Sequence, residues 1–201
     1  MKEDIVIVGA GGHSLVCAEI AKLVGYKNII FLDDSPNALV DVSGTTENLP
    51  LFIDKYDIFV AIGDNSVRES FIKKIISLNG TLATLVHPKS IVSETAEIGI
   101  GTVVMAGSVI NPKVVVGKGV IVNTSSSVDH NSNLKNYCHI SVGAHLAGNV
   151  VIGERTFVGA GSTVINNIKI YSDTIIGAGA TVVSEIKEKG TFVGVPARRI
   201  K

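Results

Sequence analysis

At 201 residues, with 46% hydrophobic side chains, five prolines and no tryptophan, the chain can form one large or two small folded domains and is too apolar for disorder. Eighteen basic residues balance eighteen acidic ones, so no net charge supports a sequence-independent grip on nucleic acid or on an anionic membrane. No apolar run approaches the roughly 20 residues of a membrane span, and the segment from Met1 to Gly9 lacks the layout of a signal peptide, so the expected location is the cytoplasm.

The first predicted element is a strand over Ile5–Val8, a continuous apolar run of the kind buried on both faces of a parallel sheet. It is followed by the turn Gly9-Ala10-Gly11-Gly12-His13-Ser14 and by Leu15, Val16, Ala18, Ile20, Ala21 and Val24 at helical spacing. A second strand over residues 28–32 ends in Asp33-Asp34, and a third over residues 58–62 ends in Gly63-Asp64-Asn65. A helix to about Leu78 and a fourth strand near residues 82–86 complete an α/β, Rossmann-like domain over residues 1–86, with ligands expected at the carboxyl ends of its strands.

Glycines at a strand-to-helix turn let a phosphate approach the helix N-terminus, which makes Gly11, Gly12 and His13 candidate ligand contacts. The dinucleotide fingerprint is incomplete, since Ser14 stands where its third glycine belongs, and a sheet of about four strands is short for a whole dinucleotide. The pattern therefore favours a nucleotide carried by a sugar over NAD. Asp33 and Asp34 stand where a carboxylate would meet a ribose hydroxyl; the alternative is a solvated turn ahead of Pro36.

His87-Pro88 marks a change of period, and residues 87–201 form the second expected domain. From Val92 every sixth residue is aliphatic, through Ile98, Val104 and Ile110 to Val182. A helix repeats near 3.6 and a strand near 2, so a period of six means short strands turning corners at a fixed interval, the signature of an all-β parallel β-helix. Four residues after each aliphatic lies a small or β-branched residue, which the narrow prism interior requires, and Cys138 falls in that column. Cys138 and Cys17 both read as buried free thiols in a reducing compartment. Gly99, Gly117, Gly153, Gly159 and Gly177 directly follow their aliphatics, where turns with unusual backbone angles are expected. Three hexads per coil give about five coils and a prism about 25 Å long.

Few residues in this half depart from the repeat. Asp129-His130-Asn131 falls at a corner, where His130 points outward and an imidazole can take a proton near neutral pH. His139 and His145 are one hexad apart and face different sides, so zinc would need ligands from a neighbouring subunit; no metal is expected.

Gly11-Gly12-His13-Ser14-Leu15-Val16-Cys17, Phe31-Leu32-Asp33-Asp34, Ala61-Ile62-Gly63-Asp64-Asn65, Asn123-Thr124-Ser125-Ser126, His139-Ile140-Ser141-Val142-Gly143-Ala144, Ala147-Gly148-Asn149 and Gly194-Val195-Pro196-Ala197-Arg198, taken in order, resemble the hexapeptide-repeat sugar acyltransferases. The likeness is greatest to the bacillosamine-pathway N-acetyltransferases, with sialic acid O-acetyltransferases as relatives. The resemblance implies a left-handed β-helix, a homotrimer, acetyl-CoA as co-substrate and a nucleotide sugar, UDP-linked by expectation, held by the N-terminal domain and acetylated on its 4-amino group. It places the general base on His130, acetyl-CoA contacts near His139 and Gly148, and nucleotide-sugar contacts on Gly11, Gly12, His13, Asp33, Asp34 and Gly63. Arg198 is a candidate for the CoA phosphates.

One position departs from the pattern. Where the bacillosamine-pathway enzyme it most resembles carries a carboxylate after the histidine, this chain has Asn131, and an amide can orient an imidazole but cannot stabilise imidazolium with a full charge. Either Asp129 substitutes, or the base is weaker, or the acceptor differs. The rival readings are O-acetylation of a sialic-acid-type hydroxyl and a non-catalytic trimer that binds nucleotide sugar.

Overall fold

The structure is a computed structural model that describes residues 3–201; Met1 and Lys2, included above in the N-terminal segment, lie outside the described residues. It divides into two compact units, the first running to Pro88 and the second spanning Lys89–Lys201.

In the first unit, strands β1 (Asp4–Val8), β2 (Asn28–Leu32) and β3 (Asp57–Val60) form a parallel sheet in the order β2-β1-β3. Central β1 pairs Ile5 with Ile29 on one side and with Asp57 on the other, and its four apolar residues are fully buried. Helix α1 (Gly12–Leu23) follows β1 and α2 (Asn65–Ser77) follows β3. Between β1 and α1 the chain turns at Gly9, whose φ of +108° puts a Cβ 2.8 Å from the Ala61 carbonyl oxygen, so only glycine fits there. The fourth strand expected over residues 82–86 is not continuous. Ile58 bridges to the passing chain, accepting from Ala83 and donating to Thr81, and a separate two-residue strand follows at Leu85–Val86. The sheet is correspondingly narrow.

The second unit is a parallel β-helix of about six turns. Its strands are two residues long and stack on three faces: Val103, Ile121, His139, Phe157 and Ile175 on one, Val109, Ser127, His145 and Thr163 on the next, Val115, Asn133, Val151 and Lys169 on the third. Each step is eighteen residues, three hexads, as the sequence period requires. The aliphatic column from Val104 to Val182 is buried, and so is the small-residue column beside it. Hydroxyls in that inner column are satisfied by backbone: Thr102, Ser132 and Thr156 each donate to the carbonyl fifteen residues ahead, at 2.9, 3.3 and 2.8 Å.

The coil is longer than the hexad count gives because the ladder continues past Val182. Thr191–Val193 pairs with Ile175 at a spacing of sixteen and then turns back on Arg198–Arg199. Where the spacing breaks, the Thr174 hydroxyl is buried without a partner.

The glycines that follow the aliphatics serve a different purpose from the one expected. The left-handed backbone lies two residues later, at Gly101, Gly107, Lys113, Gly119, Ser125, Asn131 and every sixth residue to Gly179, with φ between +55° and +71°. Gly117, Gly159 and Gly177 are instead places of close approach: a Cβ there would lie 2.6–2.7 Å from Asn136, Ile176 or Val193 in the next coil. Their missing side chains let neighbouring coils stack.

Candidate active site

His130 stands in the corner that joins Ser127–Val128 to Asn133–Leu134, exposed and pointing away from the core. The corner is held by its neighbours. Asp129 Oδ1 accepts from the His130 backbone N–H at 2.7 Å and from Asn111 Nδ2 at 2.8 Å, and those bonds, the first above all, keep the Asp129 carboxyl below its ordinary range. The His130 carbonyl accepts from Asn149 N–H at 2.8 Å. Asp129 is thereby committed to the corner's backbone, and the group on the imidazole is Asn131, whose Nδ2 lies 2.9 Å from His130 Nδ1.

Asn131 reaches the ring because it occupies the left-handed turn position, at φ +59°. A half turn of the amide exchanges its nitrogen and oxygen, which pack almost alike, and presents Oδ1 to the ring. With Oδ1 accepting from Nδ1–H, Nε2 carries the lone pair. That nitrogen faces Gly148, one coil on, where a Cβ would lie 2.7 Å from both Nε2 and Cε1. The Gly148 N–H makes no hydrogen bond among the described residues. The corner therefore offers an oriented imidazole, an open approach to Nε2 and a donor beside it.

The other two histidines of the repeat lie elsewhere on the coil. His139 is buried on the face opposite the His130 corner, with Nε2 3.1 Å from Asn123 Nδ2 and its ring edge-on to Phe157 at a centroid distance of 5.0 Å. His145 is on the face that leads into the His130 corner, one coil on, with Nδ1 2.9 Å from Ser127 Oγ. Among the described residues no three His, Cys, Asp or Glu side chains converge as a metal would need. Asn123 escaped sequence reasoning as a separate candidate, although a polar residue directly after the buried aliphatic Val122 was a visible signal. Arg198 is exposed and its Nη1 donates to the Ala197 carbonyl, while Arg199 pairs with Glu188 at 2.8 Å.

In the first unit the expected ligand residues gather at the carboxyl ends of the strands. Gly11 and Gly12 open α1, whose N-terminus has no side-chain cap and no acidic residue in its first turn. At α2 the same position is filled, because Asp64 caps it by accepting from Ser66 and Val67. His13 lies on the first turn of α1, its Nε2 3.6 Å from Cys17 Sγ; burial, and then the charge of Arg68, lower its pKa to about 4. Asp33 accepts from the Ala10 and Ser35 backbone amides and so ties the β2 turn to the glycine turn. Asp34 accepts twice from Thr46, which depresses its carboxyl. Both carboxylates brace loops in this structure. Gly63, half of the Gly63-Asp64 turn, is held from below by the guanidinium of Arg68.

Comparison with solved structures decides the assignment. The acetyltransferase domain of PglB from Neisseria gonorrhoeae FA1090, in complex with acetyl coenzyme A, is 40% identical and superposes with a TM-score of 0.96 over 100% of both chains. The chain belongs to the hexapeptide-repeat sugar acyltransferase family. PerB from Caulobacter crescentus, in complex with CoA and GDP-perosamine, is 37% identical with a TM-score of 0.94, covering 98% of this chain and 97% of that one. The family described as PglD N-terminal domain matches residues 4–75. A UDP-N-acetylbacillosamine N-acetyltransferase of Bacillus subtilis (strain 168) is 33% identical over 119 residues; the match covers 52% of this chain and spans about half, 52%, of that protein. The left-handed β-helix that the resemblance implies is thus the family fold. No helix of the described residues is long and apolar enough to cross a membrane.

Proposed function

We propose that the protein transfers the acetyl group of acetyl-CoA to the 4-amino group of a nucleotide-linked amino-deoxy sugar, UDP being the expected nucleotide, with His130 as general base. Relatives aligned along the whole chain support the reaction class, one described with acetyl coenzyme A and another with CoA and GDP-perosamine. The observation that carries the assignment to His130 is its pairing with Gly148: a ring oriented through Nδ1, with space at Nε2 that any side chain at position 148 would fill.

In this mechanism the amine nitrogen attacks the thioester carbonyl carbon, and the carbonyl π electrons move to its oxygen. His130 Nε2 takes the ammonium proton as the C–N bond forms. The Gly148 N–H stabilises the oxyanion; when the carbonyl re-forms, the C–S bond breaks and CoA leaves as thiolate. Cys138, buried in the inner column, has no route to an acyl-enzyme. The first unit holds the nucleotide, with its phosphates at the uncapped start of α1 beside Gly11, Gly12 and His13, and with the Asp33, Asp34 and Gly63 turns shaping the walls. Arg198 serves the CoA phosphates.

His130 and His139 lie on opposite sides of one prism, so a single acetyl-CoA that meets both must lie between two copies of the chain. That requirement supports the homotrimer. The deciding assay is thiol release from acetyl-CoA against UDP- and GDP-linked 4-amino sugars and free sialic acid, with mass analysis of the product. An acetyl gain that survives mild base identifies an amide. A base-labile product would move the assignment to a hydroxyl acceptor, and nucleotide-sugar binding without thiol release would favour the non-catalytic trimer.

A further inference from the structure

Arg68 lies on the first turn of α2, is only 1% exposed, and is among the largest fully buried side chains of the molecule. Three of its hydrogen bonds go to one turn. Nη1 donates to the carbonyls of Ile62 and Gly63 at 2.9 and 3.1 Å, and Nη2 donates to Asn65 Oδ1 at 2.7 Å. Desolvating a guanidinium is costly even when it is hydrogen bonded, and an apolar side chain of similar volume usually serves stability as well or better. A charge kept at this place therefore has work to do there. The turn it grips follows the carboxyl end of β3, and the uncapped N-terminus of α1 with His13 follows the carboxyl end of β1.

We propose that Arg68 is a positioning residue of the nucleotide-sugar crevice, acting from beneath on the Ile62–Asn65 turn and on His13. The inference rests on the reading of the first unit as that crevice. Two effects combine. The donors fix two carbonyls that would otherwise point their negative ends toward a bound diphosphate. Burial, with the Arg68 charge added to it, keeps His13 neutral well below its usual titration range, so that the ring contributes hydrogen bonding alone. The groups facing that imidazole are Cys17 on its own helix and Arg68 from α2; Asp33 and Asp64 on the adjoining turns are engaged by backbone amides. The expected ligand is a nucleoside diphosphate, bound through helix dipole and backbone amides and independent of pH as far as His13 is concerned.

The test uses the full chain, with UDP and GDP as probes, in wild type, Arg68→Met and Arg68→Lys. Arg68→Met should weaken UDP or GDP binding about tenfold or more near pH 8, the scale of a charge-assisted hydrogen bond, while acetyl-CoA binding changes less than about twofold. The His13 midpoint should rise only modestly in Arg68→Met, because burial, the larger cause of its depression, remains. Arg68→Lys, which retains charge without the fork of donors, should hold His13 neutral yet bind UDP more weakly than wild type. Nitrogen NMR of the His13 ring follows its protonation directly in all three proteins. Unchanged UDP and GDP binding in Arg68→Met, or one His13 midpoint in wild type and Arg68→Met, would overturn the proposal. Were wild type to bind neither nucleotide, the reading of the crevice would fall, and the ring titration would still decide whether Arg68 acts on His13.

Discussion

Gly148→Ala is the most economical probe of the catalytic corner, because its effect can be worked from one distance. The added methyl would sit 2.7 Å from His130 Nε2 and Cε1, against an ordinary contact that begins near 3.4 Å, so the ring must retreat by the difference, 0.7 Å. The backbone raises no objection, since Gly148 is not among the positive-φ glycines. The ring is exposed and can turn aside at little cost in stability. Displacement on this scale in a reacting pair is worth about 10²-fold in rate. The expected outcome is a fall of about 10² in kcat for thiol release with an unchanged melting temperature, and with the position-148 N–H still in place. Wild-type turnover in Gly148→Ala would refute the placement of the chemistry between His130 Nε2 and this coil. A matching loss of folding would show that the contact is packing and nothing more.

His130→Ala should lower kcat/KM by at least about 10²-fold, the usual scale for loss of a general base, with acetyl-CoA affinity retained. Asn131→Asp places a carboxylate on Nδ1, favours imidazolium, and should move the acid limb of the kcat/KM profile upward by about one pH unit; an unmoved limb would mean that Asn131 does not address the ring. His13 titrates at about 4 when folded and near 6.5 when unfolded, so the unfolded chain binds more protons below 6.5 and stability falls as pH drops through that window. Denaturant midpoints should show about 2 kcal/mol lost between pH 7 and 5, and His13→Gln should abolish that share. Gly9→Ala, with its methyl against the Ala61 carbonyl and φ at +108°, should destabilise the first unit by about 2 kcal/mol or more in calorimetry, whereas a fully exposed turn would tolerate it.

The sixfold period made the coil legible because every coil must repeat the same compromise: one aliphatic and one compact residue per face, with no room for exceptions. Its turn chemistry was legible too but misread. Asn131, Asn149, Asn167 and Asp173 share the left-handed position with glycines, whereas the glycines that drew attention answer to the coil above, a neighbour about one coil away that no local pattern reveals. His130 stood out as an outward histidine at a corner, while Gly148 as its opposite number came from family likeness, since only stacking brings positions 130 and 148 together. Asp129 and Asn131 could not be separated beforehand: which neighbour of a histidine reaches its ring depends on a backbone dihedral, and here the left-handed turn gives the place to the amide. Asp33 and Asp34 illustrate the converse. Carboxylates at strand ends look like ligand contacts, and here they also serve as braces for the loops around them. Arg68 carried no sequence signal, because a lone arginine early in an amphipathic helix ordinarily faces water.

A stack in which each layer touches only the layers beside it behaves as a one-dimensional chain of couplings, and such chains come apart from their ends. The upper end is already imperfect, with its irregular step and the solitary Thr174 hydroxyl. The layers that carry His130 and Gly148 have further layers on both sides. Thermal fraying at either terminus can therefore run for several layers before it disturbs the spacing between imidazole and backbone amide, and the chemistry is housed in the part of the column that exchanges its amide protons last.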